Sequence, residues 1–255
     1  MKIAAQLYTI RDFTSNAEQI EESLKTIRYI GYNAVQVSGF KYYDAAFISR
    51  VCKALGLEIA VTHTPLARIT DDTENVINEH KLFGAKCVGL GWYKMQSQKE
   101  CGDFIKLLEK PVEQIHKAGL KFVYHNHERE FVKDGGVTIM EYFLQNTDPQ
   151  KIGLLADLYW LQFAGVNPAA FLEKYKNRID IVHLKDMKII RDGEGKCVQT
   201  FAEIFEGNMD YDNILSVCEK NGVKYAAVEQ DICPGDPFDS LKISYNNIKA
   251  RGYIE

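Results

Sequence analysis

The chain has no Cys-x-x-Cys pair, and its six cysteines, at positions 52, 87, 101, 197, 218 and 233, are spaced irregularly. That argues against a zinc ribbon or a disulfide framework and fits a reducing cytoplasm. No stretch approaches the ~18 apolar residues of a membrane span, and the N-terminus shows no small-residue cleavage site, so neither export nor membrane insertion is expected. An excess of positive charge is also missing. Thirty-one Lys and Arg stand against 35 Asp and Glu, a net charge of −4, which leaves no global field for a phosphate backbone and argues against nucleic acid as a partner. There is no Gly-x-Gly-x-x-Gly after the first strand candidate and no Gly-x-x-x-x-Gly-Lys loop, which removes the usual reasons for an open nucleotide-binding sheet.

What the chain does have is the ordinary make-up of a folded domain: 255 residues, 46 % hydrophobic and 26 % charged. That length matches the roughly 250 residues of a typical (β/α)8 barrel, so residues 1–255 are expected to form one domain. Short apolar runs alternate eight times with longer amphipathic stretches. The runs are Ile3 to Thr9, Ala34 to Gly39, Glu58 to Thr64, Cys87 to Trp92, Lys121 to His127, Ile152 to Asp157, Ile179 to Asp186 and Tyr225 to Asp231. Eight consecutive βα units imply a parallel sheet covered by helices, and eight is the number that closes. The expected α/β fold is therefore a single (β/α)8 TIM barrel, with an open doubly wound sheet as the alternative.

The first helix is predicted after Thr14 by a Ser15-x-x-Glu18 capping box, by apolar Ile20, Leu24 and Ile27 on one face, and by Gly31 as a stop. One connection is too long for a bare loop. The 23 residues from Met187 to Met209 hold two short runs, Ile189 to Arg191 and Cys197 to Gln199, about a turn containing Gly193 and Gly195, and this predicts a small hairpin. Such a hairpin reads equally as a lid or as surface decoration.

In a barrel of this kind the active site lies at the C-terminal ends of the strands. Gln6 and Tyr8 end the first candidate, Gln36 and Ser38 the second, His63 the third and His125-Asn126-His127 the fifth. Asp157 ends the sixth, His183, Lys185 and Asp186 the seventh, and Glu229 and Asp231 the eighth. Residues i and i+2 share a strand face, so His125 and His127 point together, as do His183 and Lys185, and Glu229 and Asp231. A convergence of imidazoles and carboxylates is costly to bury unless it binds a cation or is hydrogen-bonded throughout. Nitrogen and oxygen donors without thiolates suit Mn, Co, Zn or Mg. Asp157, His183 and Glu229, on consecutive strand ends, are the metal candidates. His80 and His116 read as structural histidines, Trp92 and Trp160 as packing residues.

Three runs carry a family resemblance: Tyr124-His125-Asn126-His127-Glu128-Arg129-Glu130-Phe131, then Leu155 to Trp160 with Gly165 beyond, then Ile181 to Asp186. With the opening Gln6 to Asp12 and the closing Val228 to Asp231, they resemble the sugar phosphate isomerase/epimerase family, built on the xylose isomerase-like barrel. The resemblance implies a divalent ion held by groups from strands five to eight. Asp157, His183 and Glu229 match the family's ligand positions on strands six, seven and eight, while His125 stands where many epimerases carry a glutamate. It is expected as a ligand or as a base.

The resemblance further implies a small sugar or polyol substrate, isomerised or epimerised through an enediolate. Dehydration of a keto-cyclitol or keto-sugar, in the manner of inosose dehydratases, is the alternative. Glu229, His125 and His127 are the expected catalytic groups. His63, Glu130, Lys185 and Tyr8 are the expected substrate contacts, and family habit allows a homodimer.

Overall fold

In the computed structural model, which describes residues 1–254, five strands open the chain: β1 (Lys2–Gln6), β2 (Ala34–Val37), β3 (Glu58–Thr62), β4 (Cys87–Leu90) and β5 (Lys121–His125). A two-stranded ribbon, β6 (Lys133–Asp134) and β7 (Val137–Thr138), precedes β8 (Ile152–Asp157) and β9 (Ile179–Leu184). A hairpin, β10 (Asp186–Arg191) and β11 (Cys197–Ala202), comes before the last strand, β12 (Tyr225–Val228). Hydrogen bonds run in the order β1-β12-β9-β8-β5-β4-β3-β2 and return to β1, with neighbours parallel throughout. The closed (β/α)8 barrel expected from the sequence is the fold, and closure leaves it no free edge.

The helices are α1 (Ala17–Ile30), α2 (Ala45–Leu55), α3 (Leu66–Asp71), α4 (Thr73–Phe83), α5 (Gln98–Lys117), α6 (Ile139–Gln145), α7 (Leu158–Phe163), α8 (Pro168–Lys174), α9 (Tyr211–Lys220) and α10 (Pro237–Ala250). In α1 the buried face is Ile20, Leu24 and Ile27 as expected, each contributing roughly 1.5–3 kcal/mol by its burial. The cap differs by one residue. Asn16, not Ser15, accepts the Gln19 N–H, while the Gln19 side chain accepts the Ser15 N–H; an amide caps as well as a hydroxyl, so the reciprocal pair simply shifts along the chain. Gly31 ends the helix at φ +127°, and a Cβ there would lie 2.6 Å from the Tyr245 ring, so both conformation and space demand glycine.

The barrel interior is packed. Ala4, Ala34 and Ala227 lie in register on β1, β2 and β12, and the larger Val61, Cys87, Val123, Leu155 and Ile181 fill the remainder. Tyr225 packs beneath both groups and donates its hydroxyl to Glu58, which also pairs with Lys2. Asp180 pairs with Lys121 at 2.9 Å and Lys224 at 3.1 Å at the same end. This end is closed by structural pairs, so the chemistry is left to the other.

There the strands stop sooner than the apolar runs suggest. The Gln6 side chain accepts the Tyr8 N–H and starts a 3-10 turn over Leu7–Phe13, so β1 ends three residues before Thr9. Tyr8 consequently stands in that turn, and Ser38, His63, His127, Lys185, Glu229 and Asp231 lie just past their strands. His125 and Asp157 are the final residues of β5 and β8.

The predicted hairpin forms, with Asp186 opposite Ala202 and Arg191 opposite Cys197. Phe201 stacks on Tyr159 of α7 with ring centroids 4.6 Å apart, and Gln199 donates to the Tyr159 hydroxyl. At its base Asp186 accepts four backbone N–H groups, from Met187 (2.8 Å) and from Phe205, Gly207 and Met209 (3.1 Å each). Gly207 has no room for a Cβ, which would meet Asp186 Oδ1 at 2.3 Å. No helix among the described residues is long and apolar enough to cross a membrane.

Candidate functional site

Four buried side chains from four adjacent strand ends meet at the mouth of the barrel. His125, Asp157, His183 and Glu229 each offer one nitrogen or oxygen donor, and these atoms lie within 4.8 Å of one another. The His125 and His183 ring centroids are 4.5 Å apart, and His63 adds a third ring at 5.0 and 5.5 Å from them. The convergence expected from strands three, five, six, seven and eight is therefore realised.

The hydrogen bonds around the cluster decide what its inner atoms face. His125 Nδ1 lies 2.7 Å from the Gly91 carbonyl, which can only accept, so Nδ1 carries the proton and Nε2 presents a lone pair. That lone pair points at Asp157 Oδ2, 3.1 Å away. His183 Nε2 lies 2.8 Å from Gln36 Oε1, which turns Nδ1 toward Glu229 Oε2 at 2.9 Å and Asp157 Oδ2 at 3.4 Å. Gln6 Nε2 donates to Glu229 Oε1 at 3.0 Å and leaves Oε2 inward. Carboxylate oxygens and an imidazole lone pair converging in a dry site need positive charge among them. An imidazole whose far nitrogen donates to a carbonyl is the usual outer partner arrangement of a metal ligand. The donor set fits a divalent ion.

A second positive group shares the same oxygens. Lys185, only 2 % exposed, places Nζ 3.0 Å from Asp157 Oδ2, 2.8 Å from Glu229 Oε2 and 3.0 Å from Asp231 Oδ2, and 5.7 Å from the centre of the Trp160 ring. Burial alone would raise the Asp157 and Glu229 carboxyls, yet Lys185 and the neighbouring imidazoles hold both below their ordinary range. Burial would likewise discharge Lys185, and its three carboxylates hold it well above the usual lysine value. For His183 the Glu229 and Asp157 charges outweigh burial and raise the imidazole. His125 is lowered by burial and then by His183, and His127 is lowered to about 2 by burial and then by His125.

Above the cluster opens a cavity of about 630 Å³, ample for a sugar. Of the expected substrate contacts, Tyr8, His63 and Lys185 line it, as do His125, His127 and Glu229. Asp157 and His183 lie outside the lining and are fully buried. Glu130 does not reach the cavity, contrary to expectation. It is fully buried, accepting the His127 N–H at 2.7 Å and the Tyr124 O–H at 2.9 Å, so it braces the loop after β5. Burial pushes its carboxyl up to about 7.

Trp92 corrects another expectation. Its side chain is 56 % exposed and lines the cavity instead of packing in the core, with the Arg129 guanidinium 5.5 Å from its ring centre. His80 is structural, as expected, held between Val76 O (2.7 Å) and Thr62 Oγ1 (2.8 Å). The hairpin contributes no side chain to the cavity wall. Gln6, Gln36 and Asp231 could be seen as polar strand ends but given no role from sequence; the Gly91 carbonyl leaves no side-chain signal at all.

Comparison with known proteins agrees with this geometry. A family model described as a xylose isomerase-like TIM barrel matches residues 24–232. An inosose dehydratase from Clostridium tetani (strain Massachusetts / E88) is 29 % identical over 172 residues, which cover 62 % of this chain but only 55 % of that protein. The crystal structure of a sugar phosphate isomerase/epimerase from Parabacteroides distasonis ATCC 8503 superposes with a TM-score of 0.83 at 21 % identity, covering 100 % of this chain and 95 % of the other. A xylose isomerase-like TIM barrel protein from Mycobacterium smegmatis in complex with magnesium gives a TM-score of 0.75 at 15 % identity, covering 97 % and 95 %. At such identities the superpositions speak for the fold.

Proposed function

Because the chain belongs to the xylose isomerase-like TIM barrel family, we propose that it is a divalent-metal-dependent isomerase or epimerase of a keto-sugar or related polyol. The observation that carries this reading is the cluster of His125, Asp157, His183 and Glu229, with donor atoms within 4.8 Å, at the floor of a sugar-sized cavity. These four residues would hold the ion. When bound, Mn, Co, Zn or Mg supplies Lewis acidity that stabilises negative charge developing on a substrate carbonyl oxygen.

The side chains divide the remaining work. Glu229, whose Oε2 faces the donor set and whose Oε1 accepts from Gln6, is the base that takes the proton next to the carbonyl, through the oxygen the ion leaves free. His127 lines the cavity with a buried, unpartnered Nδ1, and its neutral ring suits a hydrogen bond to a substrate hydroxyl. His63 presents Nε2 in the same way, its Nδ1 being 3.1 Å from Ser38 Oγ. Tyr8 and Trp92 offer flat apolar faces to a ring, and the Lys185 ammonium faces any oxygen that gains charge.

A second reading, dehydration of a keto-cyclitol or keto-sugar, is favoured by the distribution of carboxylates. Glu229 and Asp231 follow β12, and the loop after the diametrically opposite β4 brings Trp92 and no acid. Epimerisation calls for proton transfer on both faces of the substrate, whereas loss of a β-hydroxyl can be served from one. The dehydratase relative points the same way.

The test is incubation of the metal-loaded protein with keto-sugars and keto-cyclitols in heavy water. Deuterium at the carbon next to the carbonyl, with all hydroxyls kept, supports the isomerase or epimerase reading. Loss of water with a new conjugated-enone absorbance replaces it with the dehydratase. Saturable sugar binding without either change makes the chain a sugar-binding protein.

A further inference from the structure

Lys185 and the cation site make competing claims on the same two atoms. Its Nζ stands 3.0 Å from Asp157 Oδ2 and 2.8 Å from Glu229 Oε2, the oxygens that face the His125 and His183 nitrogens of the four-residue cluster. The third partner, Asp231 Oδ2 at 3.0 Å, lies outside that cluster and on the cavity wall. The other groups near the ammonium are the Trp160 ring, 5.7 Å from Nζ, and the imidazoles of the cluster, of which His183 reaches the same Asp157 and Glu229 oxygens. The formal charges are instructive: Asp157 and Glu229 together balance a divalent ion, and Asp231 alone balances a lysine.

We infer that Lys185 is a displaceable counter-ion of the metal site, sharing Asp157 and Glu229 with the incoming cation and parked on Asp231 when the cation takes them. The inference rests on the metal reading given above. Two positive charges close to one carboxylate oxygen repel at short range in a medium of low dielectric, so the lysine lowers the affinity of the site for the ion. Asp231 offsets that penalty by offering the ammonium a berth of its own. Once moved, the ammonium stays against the cavity, its position set by the ion. Lys185 is thus a positioning residue whose place reports whether the site is loaded.

The experiment is calorimetric titration of the full chain with manganese chloride at fixed pH and ionic strength, for wild type, Lys185→Met, Asp231→Asn and the double variant, with circular dichroism as a folding check. Lys185→Met is expected to bind manganese about tenfold more tightly. Asp231→Asn, an isosteric change, is expected to bind about fivefold more weakly, and that loss should largely vanish in the Lys185→Met background because there is no ammonium left to park. A merely structural lysine would weaken binding when removed. Wild-type binding with unchanged or weaker affinity in Lys185→Met overturns the inference and leaves the metal reading intact. An undiminished Asp231→Asn effect in the double variant also overturns it, even if Lys185→Met alone folds poorly. No manganese binding by any of the four proteins brings down both.

Discussion

His125 Nε2 faces Asp157 Oδ2 across 3.1 Å with no proton of its own to offer, because Nδ1 already donates to the Gly91 carbonyl. Asp157→Asn is therefore expected to abolish tight divalent binding, read as metal per chain by elemental mass spectrometry after loading and desalting. Gln36→Leu, which frees His183 Nε2, is expected to weaken it about 10–100-fold. Normal metal content in Asp157→Asn would remove that residue from the donor set.

Glu130 ties stability to pH. Its folded carboxyl titrates near 7, raised by burial from an ordinary value of 4.5. Between those values the native state binds the proton that the unfolded chain has lost, so stability falls as pH rises through this window, by up to about 3 kcal/mol. Glu130→Gln keeps an acceptor for the His127 N–H and cannot ionise. Urea unfolding at pH 5 and pH 8 should show the wild type losing stability relative to the variant; parallel behaviour at both would contradict the assignment.

Asp186 is the knot of the hairpin. Asp186→Ala leaves the N–H groups of Met187, Phe205, Gly207 and Met209 without their shared acceptor, at an expected cost of about 3 kcal/mol. Hydrogen exchange should accelerate first at Phe205, Gly207 and Met209. Uniform acceleration across the barrel would mean that the loop has no local stability of its own.

Trp92 stands half in solvent on the wall opposite Glu229. Trp92→Ala is expected to raise KM several-fold with kcat and melting temperature nearly unchanged, since little buried area is lost. A fall in kcat alone would place the ring nearer the chemistry than the geometry suggests.

The sequence makes Asp157, His183 and Glu229 legible because each stands at or next to the C-terminal end of a mostly apolar strand, where a polar or charged group has no packing explanation. It misplaces Glu130 because a carboxylate five residues beyond His125 can turn toward the cavity or under the loop, and only the three-dimensional path through the 3-10 turn Arg129–Phe131 decides. Trp92 is misread for a related reason: residue type suggests burial, but the loop after β4 lifts the ring clear of the core. The ribbon β6–β7 follows from the Gly135-Gly136 turn, a signal too short to stand out among eight larger repeats. The role of Lys185 depends on distances to residues 28 and 44 or more positions away, which no local pattern encodes.

Asp157 uses its two oxygens for different ends: Oδ1 caps α7 by accepting the Trp160 N–H at 3.1 Å, and Oδ2 faces the cluster. A helix start and a ligand are thus soldered into one side chain, and neither can be retuned without disturbing the other. His125 has no such second duty toward a helix, being held only through a carbonyl that would serve another donor equally well. If this barrel is ever to be given a different ion or a harder donor set, position 125 is the degree of freedom, and 157 is the fixed point about which the redesign must turn.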